Sequence, residues 1–179
     1  YPVIVKASAG GGGRGMRVVN KRDELWEAII GAQNEAKVAF GNDEVFIEKY
    51  LKKPRHIEIQ IFGDGKGRVV HLYSRDCSLQ RKYQKIIEEA PAKNLNQEKL
   101  SEIQNICVAA CSELKYKGAG TLEFLYEDNE FYFIEMNTRI QVEHTVTEMI
   151  TGVDLVQAQL LLALEDKFDL DQEKLKING

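Results

Sequence analysis

Two segments rich in aromatic and β-branched residues flank a short polar cluster in the second half of the chain. They cover residues 121–126 and 131–136, and the four residues between them are Glu-Asp-Asn-Glu. This composition is typical of a β-hairpin, because aromatic and β-branched side chains favour strands while Asp and Asn favour turns. The sequence therefore predicts two antiparallel strands, with Glu127 paired with Phe131 across a three-residue turn.

The predicted pairing brings acidic side chains together on one face of the hairpin. It sets Glu123 opposite Glu135, and Asn137 points the same way as Glu135 because side chains alternate along a strand. Two opposed carboxylates repel each other and resist desolvation, so they need a compensating cation. Carboxylate and amide oxygens suit Mg²⁺ or Mn²⁺, which keep water and phosphate oxygens as other ligands. We predict a metal site at Glu123, Glu135 and Asn137, and with it a nucleotide; the alternative is a surface hairpin whose acidic groups face water.

A glycine-rich segment near the start of the chain joins two apolar segments. Residues 10–15 read Gly-Gly-Gly-Gly-Arg-Gly, between apolar residues 1–6 and 16–19. The spacing matches G-x-G-x-x-G, but a strand follows where the dinucleotide-binding fingerprint requires a helix, and the Lys-Ser/Thr end of a Walker A loop is missing. Glycine N–H groups approach phosphates closely, and Lys6 and Arg14 add positive charge. The segment is interpreted as a phosphate-binding hairpin; the alternative is a flexible tip that binds nothing.

The rest of the chain alternates helical and strand patterns. Apolar spacing of three and four residues predicts helices at 23–40, 96–114 and 154–164, and alternating or β-branched segments predict strands at 45–51, 56–62, 68–73 and 84–89. Residues 74–83 are polar and dense in charge and lie outside the predicted strands. The Lys-Lys-Pro break at Pro54 is the predicted internal domain boundary.

Composition excludes several classes of protein. Hydrophobic residues make up 44% of the chain and charged residues 29%, which are globular values. The net charge of −4 argues against extended nucleic-acid binding, because a phosphate backbone needs a basic surface. No apolar run reaches membrane-spanning length, and no secretory signal opens the chain. Cys77, Cys107 and Cys111 lack metal-ligand spacing and are interpreted as buried thiols in a reducing compartment, so we expect a cytoplasmic protein without nucleic-acid or membrane partners.

Both ends of the sequence look cut. Tyr1 begins inside an apparent strand without an initiator methionine, and the chain stops at Gly179 after a charged segment. We therefore expect these residues to be a fragment of a longer protein.

Short motifs along the chain occur in the same order in one known family. They are V-K-A-S-A-G-G-G-G-R-G-M, E-K-Y-L, P-R-H-I-E-I-Q, R-D-C-S-L-Q-R, Q-K-I-I-E-E-A-P-A, G-A-G-T-L-E-F and F-I-E-M-N-T-R-I-Q-V-E-H. Together they resemble the ATP-grasp core of the biotin carboxylases over nearly the whole chain, and the last motif is highly specific. The resemblance implies a partial ATP-grasp fold of the α+β class, with antiparallel sheets and packed helices. Residues 1–50 would belong to a small lid subdomain with the glycine-rich loop, and residues 51–179 to a larger subdomain with the metal, bicarbonate and biotin sites.

The resemblance also implies an activity, that of an ATP-dependent ligase. In this family ATP phosphorylates bicarbonate to carboxyphosphate, and the CO₂ released from it carboxylates N1 of biotin on a carrier protein. The implied partners are bicarbonate, a biotin carboxyl carrier protein or domain and a carboxyltransferase component, and the full-length enzyme is expected to be a homodimer. The parent would be of the acetyl-CoA carboxylase type, which serves fatty acid biosynthesis, or of the pyruvate carboxylase type.

Site residues carry over at the positions that match the family motifs. The residues implied to bind ATP are Lys6, Gly12, Gly13, Glu48, Lys49, Leu51, His56, Gln80 and Tyr83, and many family members have histidine at the last position. The residues implied to form the bicarbonate and biotin pocket are Lys85, Arg139, Gln141, Val142 and Glu143. Glu143 matches the general base, which bicarbonate needs because it is a poor nucleophile until it loses its proton. Lys85 and Arg139 match the cations that hold the anion. The implied metal ligands are the same Glu123, Glu135 and Asn137 that strand alternation predicts.

Two family residues have no counterpart in this sequence. A lysine that contacts ATP would precede Tyr1, and an arginine that stabilises the biotin enolate would follow Gly179. We therefore expect the isolated chain to be incomplete for turnover. Two other functions stay open: carbamoyl-phosphate or carboxylate-amine ligase chemistry within the ATP-grasp group, and a catalytically silent nucleotide-binding or subunit-contact module.

Overall fold

The Lys-Lys-Pro break marks the passage of the chain from one structural unit to another. In the computed structural model, which describes residues 1–10 and 14–178, the first unit contains residues 1–53 and 80–84. The second unit begins at Pro54 and contains the rest of the described chain. The sequence assigns residues 1–50 to a lid subdomain and residues 51–179 to a larger subdomain. The roles of the two units as lid and larger subdomain of an ATP-grasp fold stay predictions.

The first unit is a three-stranded antiparallel sheet with one helix packed on it. Its elements are β1 (Val3–Ala7), β2 (Arg17–Val19), a 3₁₀ turn (Arg22–Glu24), α1 (Leu25–Phe40) and β3 (Val45–Lys49), in the strand order β2-β1-β3. Val5 and Val19 of the sheet share a core with Ala32 of α1. The helix ends at Gly41, whose φ of 72° is a left-handed conformation that glycine adopts readily. A strand, not a helix, follows the glycine-rich segment, as predicted.

The second unit is built on a five-stranded sheet. Its strands are β4 (Arg55–Asp64), β5 (Val69–Arg81), β6 (Gln84–Glu89), β7 (Lys117–Glu127) and β8 (Glu130–Asn137), in the order β6-β5-β4-β7-β8, and its helices are α2 (Gln97–Glu113), α3 (His144–Thr151) and α4 (Leu155–Glu165). Helices packed with antiparallel sheets confirm the predicted α+β class. Within the described part of the chain, no helix by itself combines the length and the apolar composition needed to cross a membrane. Helices α3 and α4, which are bent by 92° at the break between them, together have the length and composition of a membrane span.

Strand β5 is longer than its composition suggests. It continues to Arg81, whereas the charge density of residues 74–83 predicts a connection outside the strands. Arg75 is fully buried, and Oδ2 of Asp76 lies 2.6 Å from Nη2 of Arg55 on the neighbouring strand. The charges of Arg75 and Asp76 are therefore satisfied by charged partners within the protein rather than by water, and the prediction is wrong for that reason.

The β7–β8 hairpin turns over two residues. Glu127 pairs with Glu130, and the residues between them, Asp128 and Asn129, have φ values of 53° and 62°. Positive φ at both central residues is the pattern of a type I′ turn, which matches the twist of paired strands and which Asp and Asn tolerate. The predicted three-residue turn is therefore wrong.

A bulge restores the predicted pairing of acidic residues further along this hairpin. Phe124 pairs with Phe133, but Glu123 pairs with Glu135, so Ile134 is an extra residue on β8. The extra residue offsets the shorter turn. The predicted opposition of Glu123 and Glu135 is confirmed, although the register between them and the turn differs from the predicted one.

The central strand β4 has one apolar face and one polar face. Ile57, Ile59 and Ile61 are fully buried in a core that includes residues of α2. Glu58 and Gln60 point to the opposite face and are fully buried as well. Because an uncompensated buried charge is costly, the polar face must supply partners for Glu58.

Gly63 is required where β4 passes the turn that precedes β7. A Cβ atom added to Gly63 would lie 2.2 Å from the backbone carbonyl oxygen of Tyr116, which cannot rotate away as a side chain can. We expect Gly63→Ala to lower the free energy of unfolding by about 1–3 kcal/mol, the usual cost of overpacking, as measured by urea denaturation. Gly31→Ala is the control, because in the middle of α1 the new Cβ would meet only the flexible end of Arg17, and alanine is favoured in helices by about 1 kcal/mol. Unchanged stability of Gly63→Ala would contradict this expectation.

The three cysteines are buried free thiols, as predicted. Burial raises the pKa of Cys77, and it raises the pKa of Cys107 to about 12. Because the thiolate is the reactive form, both are poor nucleophiles at neutral pH.

Candidate active site

A cluster of polar and charged side chains occupies the polar face of the second unit's sheet. The members of this polar cluster are His56, Glu58, Gln60, Arg75, Lys85, Thr121, Glu123, Asn137, Gln141, Glu143 and Thr147. Strand pairing explains their convergence, because Glu58 on β4 lies opposite both Arg75 on β5 and Glu123 on β7. The polar cluster holds three carboxylates and three side chains that can carry positive charge.

Lys85 lies among the three carboxylates. Its Nζ atom is 3.2 Å from Oε1 of Glu123 and forms ion pairs with Glu58 and Glu143. Burial alone lowers the pKa of Lys85, but the charges and hydrogen bonds of the carboxylates, Glu58 first, outweigh burial and raise it. The ammonium group is therefore charged at neutral pH and holds the carboxylate of Glu143 in place.

Glu123 has polar partners at both carboxylate oxygens, with hydrogen bonds at Oε1 and an ion-pair contact at Oε2. Its Oε1 atom is 2.8 Å from Nδ2 of Asn137 and 2.8 Å from Nε2 of Gln141, and its Oε2 atom is 2.8 Å from Nε2 of His56. Burial raises the pKa of Glu123, yet the contact with His56, helped by Lys85 and Gln141, lowers it overall. Glu123 is therefore an anion around which several N–H groups converge.

His56 bridges two carboxylates. Its Nε2 atom is 3.2 Å from Oε1 of Glu58, in addition to the contact with Glu123. Burial lowers the pKa of His56, but hydrogen bonds to these carboxylates raise it to about 9. Burial raises the pKa of Glu58, while His56, Arg75 and Lys85 lower it to about 2. The imidazole is therefore a cation at neutral pH, and the three positive charges of the polar cluster balance its three carboxylates.

Arg75 is a fully buried cation in this polar cluster. Its Nε and Nη2 atoms lie 3.1 Å and 2.9 Å from Oε2 of Glu58, which is also fully buried. The other side chains that accept hydrogen bonds from its guanidinium are Gln60, Thr121, Gln141 and Thr147. The planar fork of five N–H donors allows one side chain to connect β4, β7, the segment after β8, and α3.

The predicted metal ligands lie next to one another. Glu135 is directly opposite Glu123 in the strand register, and Asn137 donates a hydrogen bond to Glu123. Glu123 is buried and Glu135 is exposed. Two carboxylates and an amide oxygen are hard donors, which fit Mg²⁺ or Mn²⁺. The residues present therefore fit a divalent ion, and their role as its ligands stays a prediction.

Most predicted site residues of the second unit converge in the polar cluster. Those brought together are His56, Lys85, Glu123, Asn137, Gln141 and Glu143. Arg139 is exposed and lies beside the polar cluster, with Nη2 3.4 Å from Oδ1 of Asn137. Val142 is 87% exposed, although Glu143 beside it is buried.

Two of the predicted ATP-binding residues of the first unit, Lys6 and Glu48, form an ion pair. Nζ of Lys6 on β1 lies 2.9 Å from Oε2 of Glu48 on β3. The two strands are paired, and Glu48 is two residues from Phe46, the register partner of Lys6. Leu51 is buried, Gln80 is partly buried, and Lys49 and Tyr83 are exposed. Gly12 and Gly13 lie outside the described residues. The nucleotide contacts assigned to these residues stay predictions.

Glu58, Gln60 and Arg75 are members of the polar cluster that the predicted site omits. A signal for two of them is present in P-R-H-I-E-I-Q, where alternation places His56, Glu58 and Gln60 on one face. A glutamate flanked by isoleucines in a buried strand needs a cationic partner. Arg75, in the charged segment 74–83, supplies it.

Comparison with known sequences gives a consistent set of relatives. Residues 1–171 match the protein family described as the carbamoyl-phosphate synthase L chain, ATP binding domain. The chain is 58% identical over 179 residues to biotin carboxylase from Haemophilus influenzae and 54% identical to biotin carboxylase from Pseudomonas aeruginosa, with 100% of this chain and 40% of each relative covered. It is 58% identical over 163 residues to pyruvate carboxylase from Bacillus subtilis, which covers 91% of this chain and 14% of that protein. The chain therefore spans less than half the length of these relatives.

Solved structures agree with the sequence matches. The biotin carboxylase complex with β,γ-ATP from Campylobacter jejuni has a TM-score of 0.95 and 49% identity, with 100% of this chain and 40% of that chain covered. The biotin carboxylase domain dimer of 2-oxoglutarate carboxylase from Hydrogenobacter thermophilus, in complex with MgADP, ADP and bicarbonate, has a TM-score of 0.94 at the same identity and coverage. These matches confirm the fold that the sequence motifs predict.

Proposed function

Because this chain belongs to the carbamoyl-phosphate synthase L chain, ATP binding domain family, we propose that it is the central part of an ATP-dependent biotin carboxylase. The observation that carries the proposal is the convergence of Lys85, Glu123 and Glu143 on one polar face. The names of the relatives and the ligands of the similar structures support it. The substrates proposed for the full-length protein are ATP, bicarbonate and biotin held on a carrier protein.

The proposed reaction begins with the activation of bicarbonate. Glu143 takes the bicarbonate proton, a bicarbonate oxygen attacks the γ-phosphorus of ATP, and ADP leaves, which gives carboxyphosphate. Carboxyphosphate then divides into phosphate and CO₂. N1 of biotin loses its proton to the phosphate and forms a bond to the carbon of CO₂.

The charges in the polar cluster and of Arg139 beside it suit this chemistry. Arg139 holds a planar oxyanion through two parallel N–H bonds, whereas Lys85 attracts it as a point charge. Glu143 is buried and already lies against Lys85, so the base and one of the cations are next to each other.

Nucleotide and metal roles follow from the matched motifs. Glu123, Glu135 and Asn137 would hold Mg²⁺ or Mn²⁺, which neutralises charge on the phosphates when it is bound. The proposed ATP-binding residues are Lys6, Gly12, Gly13, Glu48, Lys49, Leu51, His56, Gln80 and Tyr83, and the proposed pocket for bicarbonate and biotin includes Gln141 and Val142.

The proposal extends to the assembly that contains this chain. A biotin carboxyl carrier protein or domain and a carboxyltransferase component are the proposed partners, and a homodimer is the proposed state of the full-length enzyme. The Hydrogenobacter thermophilus relative is described as a dimer, which supports the last point. A cytoplasmic location is proposed from the composition and the free cysteines, and a role in fatty acid biosynthesis from the motif resemblance. The similarity to pyruvate carboxylase supports that enzyme type as the alternative parent.

Biotin dependence of ATP hydrolysis by the full-length protein tests this function. We expect phosphate release to require Mg²⁺, ATP and bicarbonate and to increase when free biotin is added. A rate of ATP hydrolysis that does not change when biotin is added would contradict the proposal and favour a carbamoyl-phosphate or carboxylate-amine ligase. The name of the matched family supports this second candidate. Absence of hydrolysis would favour the catalytically silent module, which is of the nucleotide-binding kind if Mg-ATP still binds and of the subunit-contact kind if it does not.

A further inference from the structure

We propose that Arg75 is a positioning residue for the carboxylation reaction, acting through Glu58 and Gln141 on groups that contact substrate. The inference rests on the proposed function and goes beyond it, because the site residues carried over from the family motifs do not include Arg75. Arg75 is fully buried, so it acts on substrate only through its neighbours.

The first connection runs through Glu58 to Lys85. Two nitrogens of Arg75 bind the same oxygen of Glu58, with Nε and Nη2 at 3.1 Å and 2.9 Å from Oε2. The other oxygen, Oε1, therefore faces away from Arg75, where it meets Lys85 and lies 3.2 Å from Nε2 of His56. Arg75 thus decides how the Glu58 carboxylate is turned, and that carboxylate helps to place the ammonium group of Lys85.

The second connection runs through Gln141 to Glu123. Nη2 of Arg75 lies 3.3 Å from Oε1 of Gln141. A guanidinium only donates hydrogen bonds, so the amide must turn its oxygen toward Arg75. Its NH₂ group then faces Glu123, where Nε2 lies 2.8 Å from Oε1 of the carboxylate. Arg75 therefore fixes the orientation of a side chain that lies in the proposed bicarbonate and biotin pocket.

The third connection anchors the segment that carries the proposed general base. Nη1 of Arg75 lies 3.0 Å from Oγ1 of Thr147, in the first turn of α3. Gln141 and Thr147 stand on either side of Glu143, and both are tied to the same guanidinium. The segment that contains Glu143 is therefore held to the sheet at two points by one buried side chain.

Lysine cannot replace arginine here without loss of this geometry. The guanidinium donates hydrogen bonds to five side chains. Besides Glu58, Gln141 and Thr147, these are Gln60, with Oε1 2.6 Å from Nη1, and Thr121, with Oγ1 3.1 Å from Nη2. A lysine at position 75 would keep the positive charge beside Glu58, but its three donors share one nitrogen atom and cannot reach acceptors on four elements. Small displacements of catalytic groups follow, and a displacement of about 1 Å is enough to reduce turnover about 100-fold.

The test compares Arg75→Lys with Arg55→Lys in the full-length protein. Arg55 also joins β4 to β5, with Nη2 2.6 Å from Oδ2 of Asp76, but its other hydrogen bonds go to backbone carbonyls of residues 93 and 94. We expect Arg75→Lys, assayed well below its melting temperature, to lower kcat of biotin-dependent ATP hydrolysis about 100-fold, with KM for ATP close to that of the unsubstituted protein. Arg55→Lys is expected to keep kcat. Equal kcat for the two variants would overturn the inference.

A double-mutant cycle tests whether Arg75 acts through Gln141. If it does, Arg75→Lys lowers kcat much less in the Gln141→Ala background than alone, because the orientation it controls is already lost. Fully additive losses would overturn the inference. If Arg75→Lys does not fold, Thr147→Val takes its place in the cycle, because it removes one acceptor of the Arg75 guanidinium. Thr147→Val alone is expected to lower kcat several-fold. If the unsubstituted full-length protein shows no biotin-dependent ATP hydrolysis, the proposed function is wrong. If that protein is active and Arg75→Lys is equally active, only the positioning role of Arg75 is overturned.

Discussion

Replacing Glu143 by glutamine in the full-length protein is expected to reduce biotin-dependent ATP hydrolysis by about 100- to 10,000-fold, the range of a general base. The carboxylate is buried against Lys85, so an amide of the same shape preserves the packing but cannot accept a proton from bicarbonate. KM for ATP is expected to change little, because the proposed partner of Glu143 is bicarbonate. Steady-state kinetics with ATP and bicarbonate varied in turn separates the two effects.

Glu130→Gln is the matched control for this variant. Glu130 is an exposed residue at the start of β8, and its nearest cation, Nζ of Lys99, is 3.7 Å from Oε1. The same chemical change at this position is expected to leave kcat unchanged. Turnover of Glu143→Gln equal to that of Glu130→Gln would show that another group takes the bicarbonate proton.

Replacing Arg75 by methionine in this chain is expected to lower the free energy of unfolding by about 3–5 kcal/mol, the usual cost of breaking a buried ion pair. Arg75 and Glu58 are both fully buried, and removal of the guanidinium leaves one carboxylate of the polar cluster without a matching positive charge. Methionine keeps much of the side-chain volume but supplies no hydrogen bonds to Gln60, whose Oε1 lies 2.6 Å from Nη1 of Arg75. Urea denaturation followed by far-ultraviolet circular dichroism measures the loss.

Two further variants separate charge from packing in this result. Arg75→Met combined with Glu58→Met removes both charges and is expected to recover part of the lost stability. Arg55→Met breaks a partly exposed pair with Asp76 and is expected to cost about 1 kcal/mol or less. If Arg75→Met costs no more than Arg55→Met, the buried pair does not stabilise the fold as described.

The elements that local patterns specify were predictable from the sequence. The β7–β8 hairpin follows from aromatic and β-branched segments around Asp and Asn, and α1 and α2 follow from apolar spacing. The turn length was not predictable in the same way, because a two-residue turn with a bulge and a longer turn without one produce the same pairing of Glu123 and Glu135. Only the structure distinguishes these two registers.

The candidate site was predictable where its residues share one hairpin or one motif. Glu123, Glu135 and Asn137 follow from strand alternation alone, and Lys85 and Glu143 from motif resemblance. The pairing of Glu58 with Arg75 was not predictable, because it depends on the register of β4 against β5, which side-chain patterns of buried strands do not specify. Charge density in residues 74–83 suggested contact with water, whereas Arg75 is charged and fully buried.

Oxygen transfer from bicarbonate to phosphate tests most directly whether this polar cluster belongs to an enzyme that activates bicarbonate with ATP. The full-length protein is incubated with Mg-ATP, biotin and bicarbonate labelled with oxygen-18, and the phosphate released is analysed by mass spectrometry. Attack of a bicarbonate oxygen on the γ-phosphorus predicts one labelled oxygen in each phosphate formed, and Glu143→Gln should lower the rate of its appearance without changing its position. Phosphate that forms at the full rate without label would contradict the account, because its fourth oxygen would then have come from water.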